Sequence, residues 1–220
     1  MRRDSLCHLL LLTACGCFSS SLLQEPTPLP AGSARVAVGA EVGSHVFSPT
    51  VGVRIGVGHG VELRGKGAAR GGEGGVNVRV HDGEFVDVMM MPLAFRYDVD
   101  DAFQEGFGAK IAGAGLPTVV GITPRPGTPS TQLFVAPDVR AGVRNGRGFA
   151  AVGLHVGAAA SGPRDLGSFI PECAWFVGAL GAKAGADTYE DERTLARGEH
   201  VFSCSLGVSF GGRHAVGDPR

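Results

Sequence analysis

The chain has 220 residues, a formal net charge of −1 and 44% hydrophobic residues, enough for one sizeable domain with a tail. That balance supplies no general basic field for nucleic acid and no acidic repeat, and no apolar run reaches the ~18 residues a membrane-spanning helix requires. Glycine stands at 36 residues, roughly twice the ordinary share of about 7%, yet much of it lies inside alternating apolar segments, which argues against disorder.

Arg2 and Arg3 precede the short apolar stretch LCHLLLLTAC, the layout of a secretory signal. Leu12-Thr13-Ala14-Cys15 resembles the lipobox of bacterial lipoproteins. That resemblance implies removal of residues 1–14, acylation of Cys15 and, because Gly16 and not Asp follows, delivery to the outer membrane. Gly32-Ser33-Ala34 offers a rival cleavage point after Ala34; both routes keep export. Residues 15–33, rich in Ser and Pro, read as a flexible tether.

From residue 34 the chain becomes a series of period-two segments, the pattern of strands with unlike faces. Residues 34–44 set Val36, Val38, Ala40 and Val42 against Arg35, Ala37, Gly39, Glu41 and Gly43. Residues 50–58 repeat this with Val51, Val53, Ile55 and Val57 against Arg54 and small residues, and a His59-Gly60 turn follows. Val61 and Leu63 alternate with Glu62, Arg64 and Lys66; ARGGEGG at 69–75 reads as a break; Val76, Val78 and Val80 then oppose Asn77, Arg79 and His81. Residues 61–82 fit either one long bent strand or a hairpin.

Asp82-Gly83 is a hairpin-turn signal. After it, Met89, Met91, Leu93, Phe95 and Tyr97 share one face, which parity assigns to the apolar side. Phe107, Ala109, Ile111 and Gly113 likewise oppose Gly108, Lys110 and Ala112, and residues 115–130 read as a loop rich in Pro, Gly and Thr. Leu133, Val135, Val139 and Ala141 oppose Gln132, Asp138 and Arg140. Asn145-Gly146 marks another turn, and Val152, Leu154, Val156 and Ala158 face away from Gly153, His155 and Gly157. Residues 174–184 set Phe176, Leu180 and Ala182 against Lys183. A charged loop leads to VFSCSLGVSF at 201–210, with Phe202, Cys204, Leu206, Val208 and Phe210 alternating with Ser and Gly.

The sum is all-β: a closed antiparallel meander β-barrel of about 8–10 strands over residues 34–211, since closure removes exposed edges. Residues 212–220 form a C-terminal tail. Segments of about 9–11 residues suit tilted strands crossing a bilayer, and Gly-rich strands with sparse charge make a poor aqueous exterior. The apolar face therefore meets lipid and the small, charged face lines the lumen. The lumen-facing set is Arg35, Glu41, Arg54, Glu62, Arg64, Lys66, Arg79, Arg96, Lys110, Asp138, Arg140, His155 and Lys183. Its excess is basic, which implies a slight anion preference if the barrel conducts; with eight strands, side chains fill the interior and nothing large passes.

The run Val86-Asp87-Val88-Met89-Met90-Met91-Pro92-Leu93-Ala94-Phe95-Arg96-Tyr97 resembles a recurrent strand of small outer-membrane β-barrel proteins, and Phe210 resembles their aromatic-ended last strand. The resemblance implies an outer-membrane barrel with a structural, adhesive or minor transport role. Its partners would be membrane lipid and the assembly machinery that reads the last strand; it would be a monomer without cofactor. The alternative is a lipid-anchored periplasmic β-barrel binding a hydrophobic ligand inside.

Catalytic look-alikes dissolve on inspection. Gly207-Val208-Ser209-Phe210-Gly211 fits a nucleophile elbow, but that motif needs a strand-to-helix turn, and Ser209 is one beat of a continuing strand. Gly60 to Lys66 falls short of a phosphate loop because Gly67 occupies the Ser/Thr position. The histidines are scattered, and no Cys/His grouping has metal-ligand spacing. Cys173–Cys204 is the disulfide candidate that export permits. Strand parity argues against it, because Cys204 lies on the apolar face and Cys173 is opposite in parity to Ala174 and Phe176.

Overall fold

The structure, a computed structural model, describes residues 21–43, 46–68, 71–99, 109–124, 131–144, 146–161, 167–183 and 199–211. The signal peptide, Cys15 and the tail 212–220 lie outside them, as does the side chain of Lys183. Twelve strands appear: β1 Ala34–Gly43, β2 Val46–Gly58, β3 Val61–Ala68, β4 Gly71–Asp82, β5 Val86–Met90, β6 Leu93–Val99, β7 Ala109–Gly115, β8 Thr118–Ile122, β9 Thr131–Arg144, β10 Arg147–Ser161, β11 Gly167–Lys183 and β12 Glu199–Phe210.

All pairings are antiparallel, and the ring closes through β12 on β1 and β9 on β10. Two staves are built from two strands each. β4 pairs with both β5 and β6, and β9 with both β7 and β8, so each pair continues one line around the barrel. The interruptions fall at Pro92 and Pro117, where the missing N–H cannot join the ladder. The result is a closed antiparallel β-barrel of ten staves. Closure lets every strand satisfy its backbone groups on both sides.

Cross-strand register carries one face around the ring, because directly paired residues point the same way. Arg35 opposes Arg54, which opposes Arg64; Ala37 opposes Ser209; Ser205 opposes Glu172; Ala174 opposes His155. These residues line the lumen. Their sequence neighbours Val36, Val38, Val53, Leu63, Val152, Leu154 and Leu206 form an exposed apolar exterior. The turn from β2 to β3 holds His59 at φ 53° and Gly60 at φ 75°, the pair of positive angles a two-residue hairpin of matching twist demands.

Several expectations need correction. Residues 71–75 do not break the sheet but open β4, which starts at Gly71 and pairs with β3 as a hairpin. The expected loop 115–130 contains β8, and β11 begins at Gly167, ahead of residue 174. Most consequentially, Met89, Met91, Leu93, Phe95 and Tyr97 are buried inside the barrel. Phe95 opposes Glu73 in register, and a buried carboxylate fixes which side is inward. Arg96 and Lys110, expected in the lumen, are exposed on the outside for the same reason. Phe176 also points inward, buried with Ala174, so Cys173 points outward. Cys173 directly opposes Cys204 with Cα atoms 4.0 Å apart, and the two form the disulfide that parity argued against.

Glycines on the inner wall make room for the inward rings. A Cβ on Gly153 would lie 2.3 Å from the Phe176 ring, one on Gly157 2.4 Å from the Phe134 ring and one on Gly113 2.9 Å from the Phe95 ring. A β-carbon at Gly153 or Gly157 would displace an aromatic side chain, and one at Gly113 would first meet the Ala141 carbonyl at 2.2 Å.

Candidate functional site

The lumen is the part of the molecule where chemistry concentrates. Of the stretch expected as a flexible tether, residues 21–29 fill it: Leu22, Leu23 and Leu29 are buried, as are Ser21, Gln24 and Glu25. The Leu-Leu pair explains the difference. Burying each such side chain stabilises by about 1.5–3 kcal/mol, and a stretch read by its Ser and Pro content conceals that drive. Leu22 joins Met89, Met91, Val119, Phe134 and Ile170 in one apolar cluster. Leu23 lies over Gly39 and Gly207, where a Cβ would come within 2.9 and 2.5 Å of it.

A first ionic group sits where the segment approaches β1. Arg54 donates to both oxygens of Glu62, at 2.9 and 2.8 Å, the two-pronged geometry that favours arginine. Glu62 also accepts from the Leu29 amide at 3.0 Å, from Gln24 at 3.0 Å and from Asn77. Glu25 pairs with Arg35, lies 3.6 Å from Arg54 and accepts from the Ser209 hydroxyl at 2.6 Å. Ser209 is thus occupied as a hydrogen-bonding wall residue, its oxygen also accepting from the Ser168 amide.

A second group lies deeper. Glu73 accepts from Arg64 at 2.5 Å and pairs with Lys66 at 3.4 Å, with Arg140 at 3.9 Å and the Tyr97 hydroxyl at 3.5 Å nearby. Arg140 also donates to Asp138 at 2.8 Å and its guanidinium lies 5.1 Å from the Phe176 ring centre and 5.6 Å from that of Phe95, distances at which a cation is held by a ring face. His155 is wholly buried between two carboxylates, Nδ1 2.7 Å from Glu172 and Nε2 3.2 Å from Asp138. With both nitrogens engaged, the ring is fixed in place and has no free atom with which to act as a base.

Of the anticipated lumen residues, Glu41, Arg54, Glu62, Arg64, Lys66, Asp138, Arg140 and His155 are buried inside, and Arg35 is partly buried. Arg79 is half-buried near the β4 end, paired with Asp82 at 2.5 Å. The expected basic excess is absent from the described lumen. Glu25, Glu73 and Glu172 add three buried carboxylates that the expected lumen set lacks. Glu73 lies in a glycine run that reads as a break, and Glu172 precedes the expected strand start at 174; Ser168, Ile170, Glu172 and Ala174 share the period that exposes it.

Neither a protein-family model nor a curated protein matches the sequence. Among solved structures the chain is similar to LpxR from Salmonella typhimurium, at 8% identity and TM-score 0.39, over 81% of this chain and 99% of that one. It is similar to a major outer membrane protein from Thermus thermophilus at 12% identity and TM-score 0.29, over 81% and 98%. It is also similar to the N-terminal β-barrel domain of Pseudomonas aeruginosa OprF at 13% identity and TM-score 0.25, over 83% and 99%. At these identities and TM-scores the likeness assigns no family and no role.

Proposed function

We propose that this chain is an exported outer-membrane β-barrel, a monomer whose exterior meets lipid and whose lumen is closed by its own N-terminal segment. The carrying observation is the inversion of polarity: Val36, Val38, Val51, Val53, Leu63, Val152 and Leu206 stand exposed outside while Glu62, Glu73, Arg140 and His155 are buried within. Lipid outside and a polar interior are what a membrane barrel requires. Aromatics add to this. Phe210 and Phe202 lie on one strand about 26 Å of chain apart, or about 20 Å of height at a ~40° tilt, near the spacing of aromatic girdles.

Acylation at Cys15, delivery to the outer membrane and reading of the Phe210 strand by the assembly machinery belong to this proposal. The role it supports is structural or adhesive. Transport by the intact chain is disfavoured, because residues 21–29 and the ionic groups occupy the lumen. The alternative, a periplasmic barrel with a hydrophobic ligand inside, gains nothing from an interior filled with paired charges.

The test is fractionation of cells expressing the full chain. A heat-modifiable band that stays in alkali-washed outer membranes supports the proposal, together with silence in planar bilayers. Release of the protein into buffer without detergent overturns it.

A further inference from the structure

We propose that the barrel lumen is a binding site for a polypeptide segment, read through its main chain, and that residues 21–29, which turn at Leu23 (φ 47°), are its resident ligand. This inference does not depend on what solvent surrounds the barrel. The segment belongs to no strand, yet its backbone is held by charged side chains projecting from the wall. Glu172 accepts from the Leu22 amide with both oxygens at 2.9 Å and from the Leu23 amide at 3.3 Å. Glu41 accepts from the Ser21 amide at 3.3 Å and Glu62 from the Leu29 amide at 3.0 Å. On the acceptor side, Lys66 donates to the Ser21 carbonyl, Arg64 to that of Leu22 at 3.2 Å and Arg54 to that of Thr27 at 3.0 Å.

Carboxylates thus take the amides and cations the carbonyls, on a wall built from β1, β2, β3 and β11. The wall charges also have partners on the wall itself: Arg54 with Glu62, Arg64 and Lys66 with Glu73, Glu172 with His155. The site therefore does not rely on the segment for its charge balance. Selectivity comes from three side chains: Leu22 in the cluster of Met89, Met91 and Phe134, Leu23 over the paired Gly39 and Gly207, and Glu25 against Arg35 and Arg54. The ligand class is a peptide carrying adjacent leucines, the second at a left-handed turn, and an acid two residues on.

The attachment to β1 is short and open to solvent. Pro30, Ala31 and Gly32 are exposed, and Gly32 turns at φ 73°. A tethered ligand faces its site at an effective concentration of about millimolar or more, so the intact chain excludes competitors. Cutting the tether removes that advantage.

The experiment inserts a site-specific protease sequence between Ala31 and Gly32 of the full chain. The purified protein is cleaved in detergent and offered a fluorescent peptide spanning Ser21 to Ala31. Nicked protein is expected to take up the peptide by exchange, measured by anisotropy, while uncut protein does not. N-methylation of the peptide at the Leu22 amide removes the donor to Glu172 and is expected to weaken uptake about tenfold or more, since a hydrogen bond to a charged group is lost; replacing Leu22 by Asp is expected to abolish it. Nicked protein that keeps its own segment against excess peptide, or that loses its heat-modifiable fold when the segment leaves, overturns the proposal. So does uptake indifferent to N-methylation.

Discussion

Glu62 shows how a single buried carboxylate organises the lumen. It is fully buried and accepts from Arg54, Gln24, Asn77 and the Leu29 amide. Removing one member of such a buried pair strands the other charge, at about 3–5 kcal/mol. Glu62→Ala is therefore expected to lower unfolding free energy by that amount, read from denaturant midpoints, and Glu62→Gln by less because it keeps acceptors for two of the donors. Glu25, on the segment itself, can be read through pH. Burial alone would raise its carboxyl, but Arg54, the Ser209 hydroxyl and Arg35 outweigh that and hold it below the ordinary carboxylate range. A group depressed in the folded state adds stability above its unfolded value and loses it as pH falls through the folded one. The midpoint difference between wild type and Glu25→Gln should accordingly be largest near neutrality and shrink on acidification below the ordinary carboxylate range. A difference that stays constant with pH would show that Glu25 acts by shape and not by charge.

At the scale of strands, the inner glycines act as sockets for rings. Gly153→Ala would set a Cβ 2.3 Å from the Phe176 ring; overpacking of this kind costs about 1–3 kcal/mol. Gly65→Ala, with nothing within 4 Å of the added atom, should leave the thermal midpoint unchanged, and Phe176→Leu should relieve most of the Gly153→Ala loss. Those sockets also explain which strands are legible in the sequence. In β1, β2, β3 and β12 the large apolar side chains, Val, Ile, Leu or Phe, fall mainly on one face and charge or Ser on the other, so period two fixes both the strand and its inward side. In β6 and β7 the usual order is reversed, with Leu93, Phe95, Tyr97 and Ile111 inward and Arg96, Asp98 and Lys110 outside, and in β11 both faces carry large apolar side chains, Phe169 and Trp175 outside and Ile170 and Phe176 inside. Period two survives there, but it does not say which side is in. That decision comes from partners distant in the chain: Phe95 faces Glu73, and Ala174 faces His155. The disulfide falls to the same ambiguity, since Cys173 takes its side from a neighbour and not from its own strand. The segment 21–33 is illegible for another reason. Its order depends on Glu172 and Glu62, charges on a wall that exists only once the barrel has closed.

At the scale of the molecule, the exterior and the interior make one demand on the surroundings. The ionic groups within are shielded from water by the N-terminal segment, and the apolar band outside has no covering element among the described residues. In water that band would be an uncompensated hydrophobic surface running around the ring, far beyond the few hundred Å² a soluble monomer tolerates. Depth-dependent substitution separates lipid from water as the exterior solvent. Leu206 opposes Ala40 and Pro171 near mid-height of β12, whereas Phe210 ends the strand. An arginine at the bilayer midplane costs about 2–4 kcal/mol and one near the interface about 0–1. Leu206→Arg is therefore expected to destabilise the barrel in lipid vesicles several-fold more, in free energy, than Phe210→Arg, read from unfolding midpoints in the same bilayer. If the outer wall faced water, both substitutions would fall within about 0.5 kcal/mol of wild type, as ordinary surface changes do. Only a hydrocarbon layer centred on Leu206 makes the two positions differ, because neither residue changes its protein contacts on the lumen side.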